Sequence, residues 1–190
     1  MKVQVGPTGI WLRVANNIHR FDAGLATALA SFFQERGGNV LDVGCGDGSY
    51  LRSLREAGIE CDGYDGSPNT PAMTGGLCGI LDFTLPVRLN LTYTWVLSLE
   101  VGEHIPRELE PVFIDNLHAC NTRGVVLSWA VPGQGGIGHA NERSNEYVKG
   151  VFERLGYKND LGAENILRAA VADCYWFRDT LMMFIKKNGE

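Results

Sequence analysis

The chain has 190 residues, 45% of them hydrophobic and 21% charged, with a formal net charge of -5. That mix suits a globular protein with a sizeable core, and the acid excess, with no basic run, argues against a generic grip on nucleic-acid phosphates. No apolar stretch is long enough to span a bilayer. Residues 1–17 lack the pattern of a signal peptide, and the cysteines (Cys45, Cys61, Cys78, Cys120, Cys174) form no CxxC pair, so a reduced, cytoplasmic protein without a membrane partner is expected.

In chain order, residues 1–38 read as a prelude whose main element is a helix over 23–35, closed by Gly37-Gly38. A buried strand follows at 39–43, then a glycine-rich turn at 44–48 and a helix over 49–57 closed by Gly58. Strands are expected at 59–64, weakly at 77–81, at 92–99 and at 124–130, with a helix over 106–119 between the last two. After a glycine-rich loop at 131–139, helices are expected at 141–155 and 163–172, a short strand at 157–160 and a last strand at 180–186. Such alternation predicts an α/β fold: a mostly parallel sheet with helices on both faces. Ligands in such sheets bind beyond the carboxyl ends of the strands, where the strand order reverses. No repeat, low-complexity tract or linker divides residues 1–190, so one domain is expected, with 1–38 as its N-terminal segment and 39–190 as its core.

The segment Leu41-Asp42-Val43-Gly44-Cys45-Gly46-Asp47-Gly48 concentrates the chemistry. Gly44 lets the chain turn off its strand, Gly46 admits a ligand close to the backbone, and Gly48 lets the next helix pack tightly. Asp65 follows Gly44 by 21 residues at the end of the second strand, where an acid can accept hydrogen bonds from both ribose hydroxyls of an adenosine. The alternative is a tight strand-to-helix turn with no ligand.

With LDVGCGDGSY at 41–50, GYDGSP at 63–68, ILDFTLP at 80–86 and SLEVGEHIP at 98–106, the chain resembles the class I S-adenosylmethionine-dependent methyltransferases, nearly end to end. The resemblance implies a Rossmann-like sheet of seven strands, the last antiparallel, and S-adenosylmethionine as cofactor. It implies that Gly44, Cys45, Gly46 and Gly48 lie against the methionine part and that Asp42 sits near its amine. Asp65 and Gly66 would hold the ribose, Asp82 and Phe83 would flank the adenine, and Glu100 would line the cofactor side of the cleft or close a loop hydrogen bond. It also gives the N-terminal segment the part of a lid over the acceptor. A nicotinamide dehydrogenase is the competing class, but it expects glycine or alanine at position 49, where this chain has Ser49.

The acceptor is less legible. The Asn/Asp-Pro-Pro-aromatic motif of amino methylation is missing, as is the Pro-Cys of cytosine methylation, while Glu100-x-x-Glu103-His104 looks like the small-molecule branch. His104 is either a base at the acceptor or a residue that orients its loop and caps the next helix; Glu103 is expected in solvent. The loop ending in His139, Asn141, Glu142 and Arg143 is a plausible lid, with Asn141 also suited to cap the following helix. His139 is the first candidate for catalytic base, because it can swing over the acceptor side, and His104 is the second. Trp11 is either a stacking surface or part of a packed N-terminal helix; Trp95, Tyr175 and Trp176 read as packing residues. No zinc spacing is evident and no metal is expected. The leading reading is methyl transfer to a small molecule, with oxygen favoured; a protein or RNA acceptor and a non-catalytic cofactor-binding scaffold are the alternatives.

Overall fold

The computed structural model describes residues 3–13 and 19–187; parts of the N-terminal segment expected to act as a lid lie outside these. The chain opens with a hairpin, β1 (Gln4–Val5) and β2 (Trp11–Arg13), where the sequence suggested only a helical prelude. Helix α1 (Ala23–Arg36) follows, capped by the Asp22 carboxylate on the Leu25 N–H and stopped at Gly37. It buries Leu25, Leu29, Phe32 and Phe33, one face at helical spacing.

The remaining elements are β3 (Val40–Val43), α2 (Ser49–Glu56), β4 (Cys61–Asp65), α3 (Thr70–Thr74), β5 (Gly79–Ile80), β6 (Tyr93–Ser98), α4 (Glu110–Ala119), β7 (Asn121–Ser128), α5 (Asn145–Arg154), β8 (Tyr157–Asn159), α6 (Leu161–Ala169), α7 (Phe177–Thr180) and β9 (Leu181–Lys186). The sheet runs β5-β4-β3-β6-β7-β9-β8. Strands β3 to β7 pair in parallel, and β9 lies antiparallel to both β7 and β8. The seven strands and the antiparallel last strand are those the resemblance implied. Short α3 and α7 were not foreseen, and α4 starts at Glu110 because residues 106–109 form a turn.

Burial explains why these strands read as continuous apolar runs. Val40, Trp95, Leu97, Leu181 and Met183 face one core layer, while Leu41, Val96, Met182 and Phe184 face the other. Side chains alternate across the pleat, so a strand covered on both faces needs apolar residues at every position. The order reverses beside β3: the chain goes outward to β4 and β5, then returns to place β6 on the other side. A cleft opens at the carboxyl ends of β3 and β6. Among the described residues no helix is long and apolar enough to cross a membrane.

Candidate active site

A cavity of about 490 Å³ occupies that cleft. Its first wall is the turn after β3, where Gly44, Gly46 and Gly48 all have positive φ (76°, 55° and 75°). Asp65, at the end of β4, staples this turn. Its Oδ2 accepts the Gly46 N–H at 3.0 Å and its Oδ1 accepts the Ser67 N–H at 2.8 Å, leaving lone pairs on both oxygens. Asp42 is 4% exposed and its Oδ2 has no hydrogen-bond partner. Burial, reinforced by neighbouring negative groups, pushes its carboxyl well above the usual range. Cys45 lies buried against Cys78, and that hydrogen bond together with burial raises its thiol pKa. Asp82 accepts from the Thr84 N–H and hydroxyl, at 2.8 and 2.7 Å, and presents Phe83 beside it.

All the residues expected on the cofactor side line this cavity except Gly48. That glycine is the left-handed N-cap of α2, and a Cβ there would meet Thr74 Cγ2 at 3.2 Å; it serves helix packing instead of the cavity.

The hairpin roofs the cavity. A Cβ on Gly66 would lie 2.6 Å from Ile10 Cγ1, so the hairpin sits directly on the loop after β4. Trp11, placed on β2 and not on a helix, stacks on His19 at 5.6 Å between ring centroids and meets His104 edge-on at 5.2 Å. Tyr175 and Trp176, read from sequence as packing residues, also line the cavity, and Tyr175 is 70% exposed.

The opposite wall follows β6. Glu100 has φ 54°, the one positive value among the described non-glycine residues, and such backbone persists only where the surroundings hold it. Here they do: Ser128 Oγ accepts the Glu100 N–H and donates to Oε1, both at 2.8 Å, and Gln134 donates to Oε2 at 3.2 Å. The chain then makes a one-turn 3₁₀ helix, Gly102–His104, pressed on Trp129 so closely that a Cβ on Gly102 would enter the indole.

Glu103, expected in solvent, is wholly buried, and neither carboxyl oxygen has a hydrogen-bond partner. Burial and the adjacent Glu100 charge raise its pKa well above the usual value. Its position follows from tertiary packing: its carbonyl accepts from Ala140 N at 2.8 Å and Asn141 N at 2.9 Å, which lays the next loop over it. His104 Nδ1 is buried without a partner, and burial, then the proximity of His139, lowers the imidazole pKa to about 4.

His139 stands 5.1 Å from His104 between ring centroids. Its Nδ1 is 3.0 Å from Glu142 Oε1, and Glu142 is itself locked by the N–H groups of Gly133 and Gly135, each at 2.7 Å. The His139 bond and these two backbone donors hold the Glu142 carboxyl below its usual range. Asn141 and Arg143 do not reach the cavity. Asn141 is 1% exposed and donates to Glu110 at 2.7 Å; Arg143 pairs with the same carboxylate and lies over the Tyr147 ring. Ser144, not Asn141, caps α5.

Many solved structures share the fold, among them the three that follow. Magnesium protoporphyrin IX methyltransferase from Synechocystis, with bound S-adenosylhomocysteine, aligns with a TM-score of 0.65 at 17% identity, over 85% of this chain and 81% of that one. The amino pentose methyltransferase CalS10 from Micromonospora echinaspora, with bound S-adenosylmethionine, aligns at 0.63 and 13% identity, over 85% and 90%. A TehB-like S-adenosylmethionine-dependent methyltransferase from Corynebacterium glutamicum aligns at 0.61 and 17% identity, over 92% and 90%. A search of curated proteins found no sequence match. The methyltransferase domain family matches residues 16–128, more than half of the 190. This chain belongs to the methyltransferase domain family.

Proposed function

We propose that this S-adenosylmethionine-dependent methyltransferase acts on an oxygen of a small-molecule acceptor. The observation that carries the reading is the shared cavity: the cofactor-side acids and the His104–His139 pair line one cleft. The residues fit the cofactor. Asp65 keeps free lone pairs for two hydroxyls, and the unpartnered Asp42 Oδ2 suits an ammonium group. When bound, the cofactor supplies an activated methyl on a sulfonium, with a neutral thioether as leaving group.

The chain's own residues align and deprotonate. Trp11, Ile137 and Tyr175 give the acceptor an apolar wall, and the hairpin excludes water above it. Holding a hydroxyl in line with the methyl supplies much of the acceleration. Glu142 orients His139, leaving one ring nitrogen with a lone pair for the acceptor side. In this reading the whole chain works as one domain, and its buried, unpaired cysteines suit a reducing cytoplasm.

A methyl-transfer screen over hydroxyl, amine, thiol and carboxylate metabolites, read by release of S-adenosylhomocysteine, tests the acceptor class. Turnover confined to amines or thiols would overturn the oxygen reading. His139→Ala is expected to lower turnover about 10²–10⁴-fold with cofactor affinity nearly unchanged. Normal turnover in both His139→Ala and His104→Ala would remove the pair from the chemistry.

Gly46→Val is expected to block cofactor binding while circular dichroism stays native. At φ 55° a valine is strained, and its Cβ would sit 2.7 Å from His19 Cδ2, displacing the turn that Asp65 staples. Normal affinity in calorimetry would contradict this placement of the turn.

A further inference from the structure

The geometry points to a divalent-cation site formed by Glu103, His104 and His139, with Glu100 beside it, on the acceptor wall of the cavity. One ligand-capable atom from each of Glu103, His104 and His139 lies within 4.8 Å of the others. Buried polar atoms nearly always find partners. Here both oxygens of a wholly buried carboxylate and one nitrogen of the adjacent imidazole have none. Glu103 also lies against Glu100, a second carboxyl group, so the pocket gathers oxygen and nitrogen atoms able to ligate an ion. A divalent cation would satisfy all of these groups together.

The surrounding structure has the rigidity a metal site needs. Glu103 and His104 sit on one 3₁₀ turn, and two N–H bonds to the Glu103 carbonyl pin the loop that carries His139. Glu142 bonds the His139 ring from outside the cluster, the part an outer carboxylate plays for a metal-bound histidine. Ser128 and Gln134 hold Glu100 beside it.

Two imidazole nitrogens with carboxylate oxygens and no thiolate suit a first-row ion such as Mn²⁺, Fe²⁺, Co²⁺ or Zn²⁺. Three protein ligands leave positions open toward the cavity. This deepens the oxygen-acceptor reading and rests on it for its catalytic role: an acceptor hydroxyl entering an open position becomes more acidic. Its proton leaves to solvent water. The oxygen then forms its bond to the methyl carbon as the carbon–sulfur bond breaks, and sulfur keeps the electron pair. The lone pair of His139 would serve the ion, and the ion would replace a general base.

The test is Mn²⁺ binding to the full chain without acceptor, followed by loss of the free-ion electron paramagnetic resonance signal. One equivalent is expected to bind. Glu103→Gln and His139→Ala should each weaken binding at least tenfold, and Glu142→Gln about 10–100-fold. S-adenosylhomocysteine affinity, measured in parallel, should stay unchanged and confirms that each variant is folded; if Glu103→Gln does not fold, His139→Ala carries the test. No saturable binding by Mn²⁺, Co²⁺ or Zn²⁺, or binding indifferent to these substitutions, would overturn the site. Oxygen methylation that persists undiminished in metal-free, chelator-treated protein would sink the metal's role and leave the oxygen reading standing. Binding of one Mn²⁺ with methylation only of amines or thiols would keep the site and sink that reading.

Discussion

Replacing Asp22 by alanine is expected to destabilise the protein by about 3–5 kcal/mol. The Asp22 side chain is wholly buried and accepts from four backbone N–H groups. One is Leu25, in the first turn of α1; the others are Ala172, Asp173 and Cys174, about 150 residues away in sequence. Alanine would strand these donors and remove a helix cap. In a domain of this size the loss corresponds to a fall in Tm of roughly 10 °C, readable by thermal denaturation. Although burial opposes ionisation, the four N–H groups hold the Asp22 carboxyl below its ordinary value. Its contribution is therefore fully present above the unfolded pKa near 3.8 and is lost as pH falls through the folded one. The alanine variant should lack that part of the acid sensitivity. A melting temperature within two or three degrees of the parent would show that the donors find other partners.

Asp65→Ala is expected to weaken S-adenosylmethionine binding by at least about 100-fold, from the loss of charge-assisted bonds worth roughly 1.5–3 kcal/mol each. The same carboxylate organises the turn: with it removed, the Gly46 and Ser67 N–H groups lose their acceptor and the glycine loop loses its tie to β4. Asp65→Asn separates the two roles. The amide retains one acceptor oxygen but carries no charge and turns an NH₂ toward one of its former donors. Calorimetry on folded protein is the check. Affinity within a factor of two of the parent for the alanine variant would remove Asp65 from the cofactor site.

The cavity wall around the glycine turn was legible because its signals are local. A glycine turn after an apolar strand, with an acid at the end of the next strand, encodes geometry within about 25 residues. Spacing therefore brings Gly44, Gly46 and Asp65 together, while the place of Asp42 beside them came from the family resemblance. Glu103 was misplaced in solvent because nothing near it in sequence buries it; the loop at 138–141, clamped on its carbonyl, does so. Asn141 looked like a helix cap because Asn commonly is one, but Glu110 and Trp129 claim its side chain and carbonyl, and Ser144 takes the cap. Trp11 gave no strand signal, since β1 and β2 are two and three residues long. The spacing Glu100-x-x-Glu103-His104 was visible, but its convergence with His139 depends on the ends of two different strands meeting.

The sheet order also carries a consequence for how the chain becomes folded. β9 lies between β7 and β8, yet it follows both in sequence. Until residues 181–186 are available, the outer edge of β7 has no partner, and Val125, Val126 and Leu127 give it apolar side chains on both faces. An unpaired apolar edge is a template for pairing with another chain. The sheet can therefore close only when β9 joins β7 and brings β8, its own pairing partner, with it; until then the β7 edge is open to aggregation.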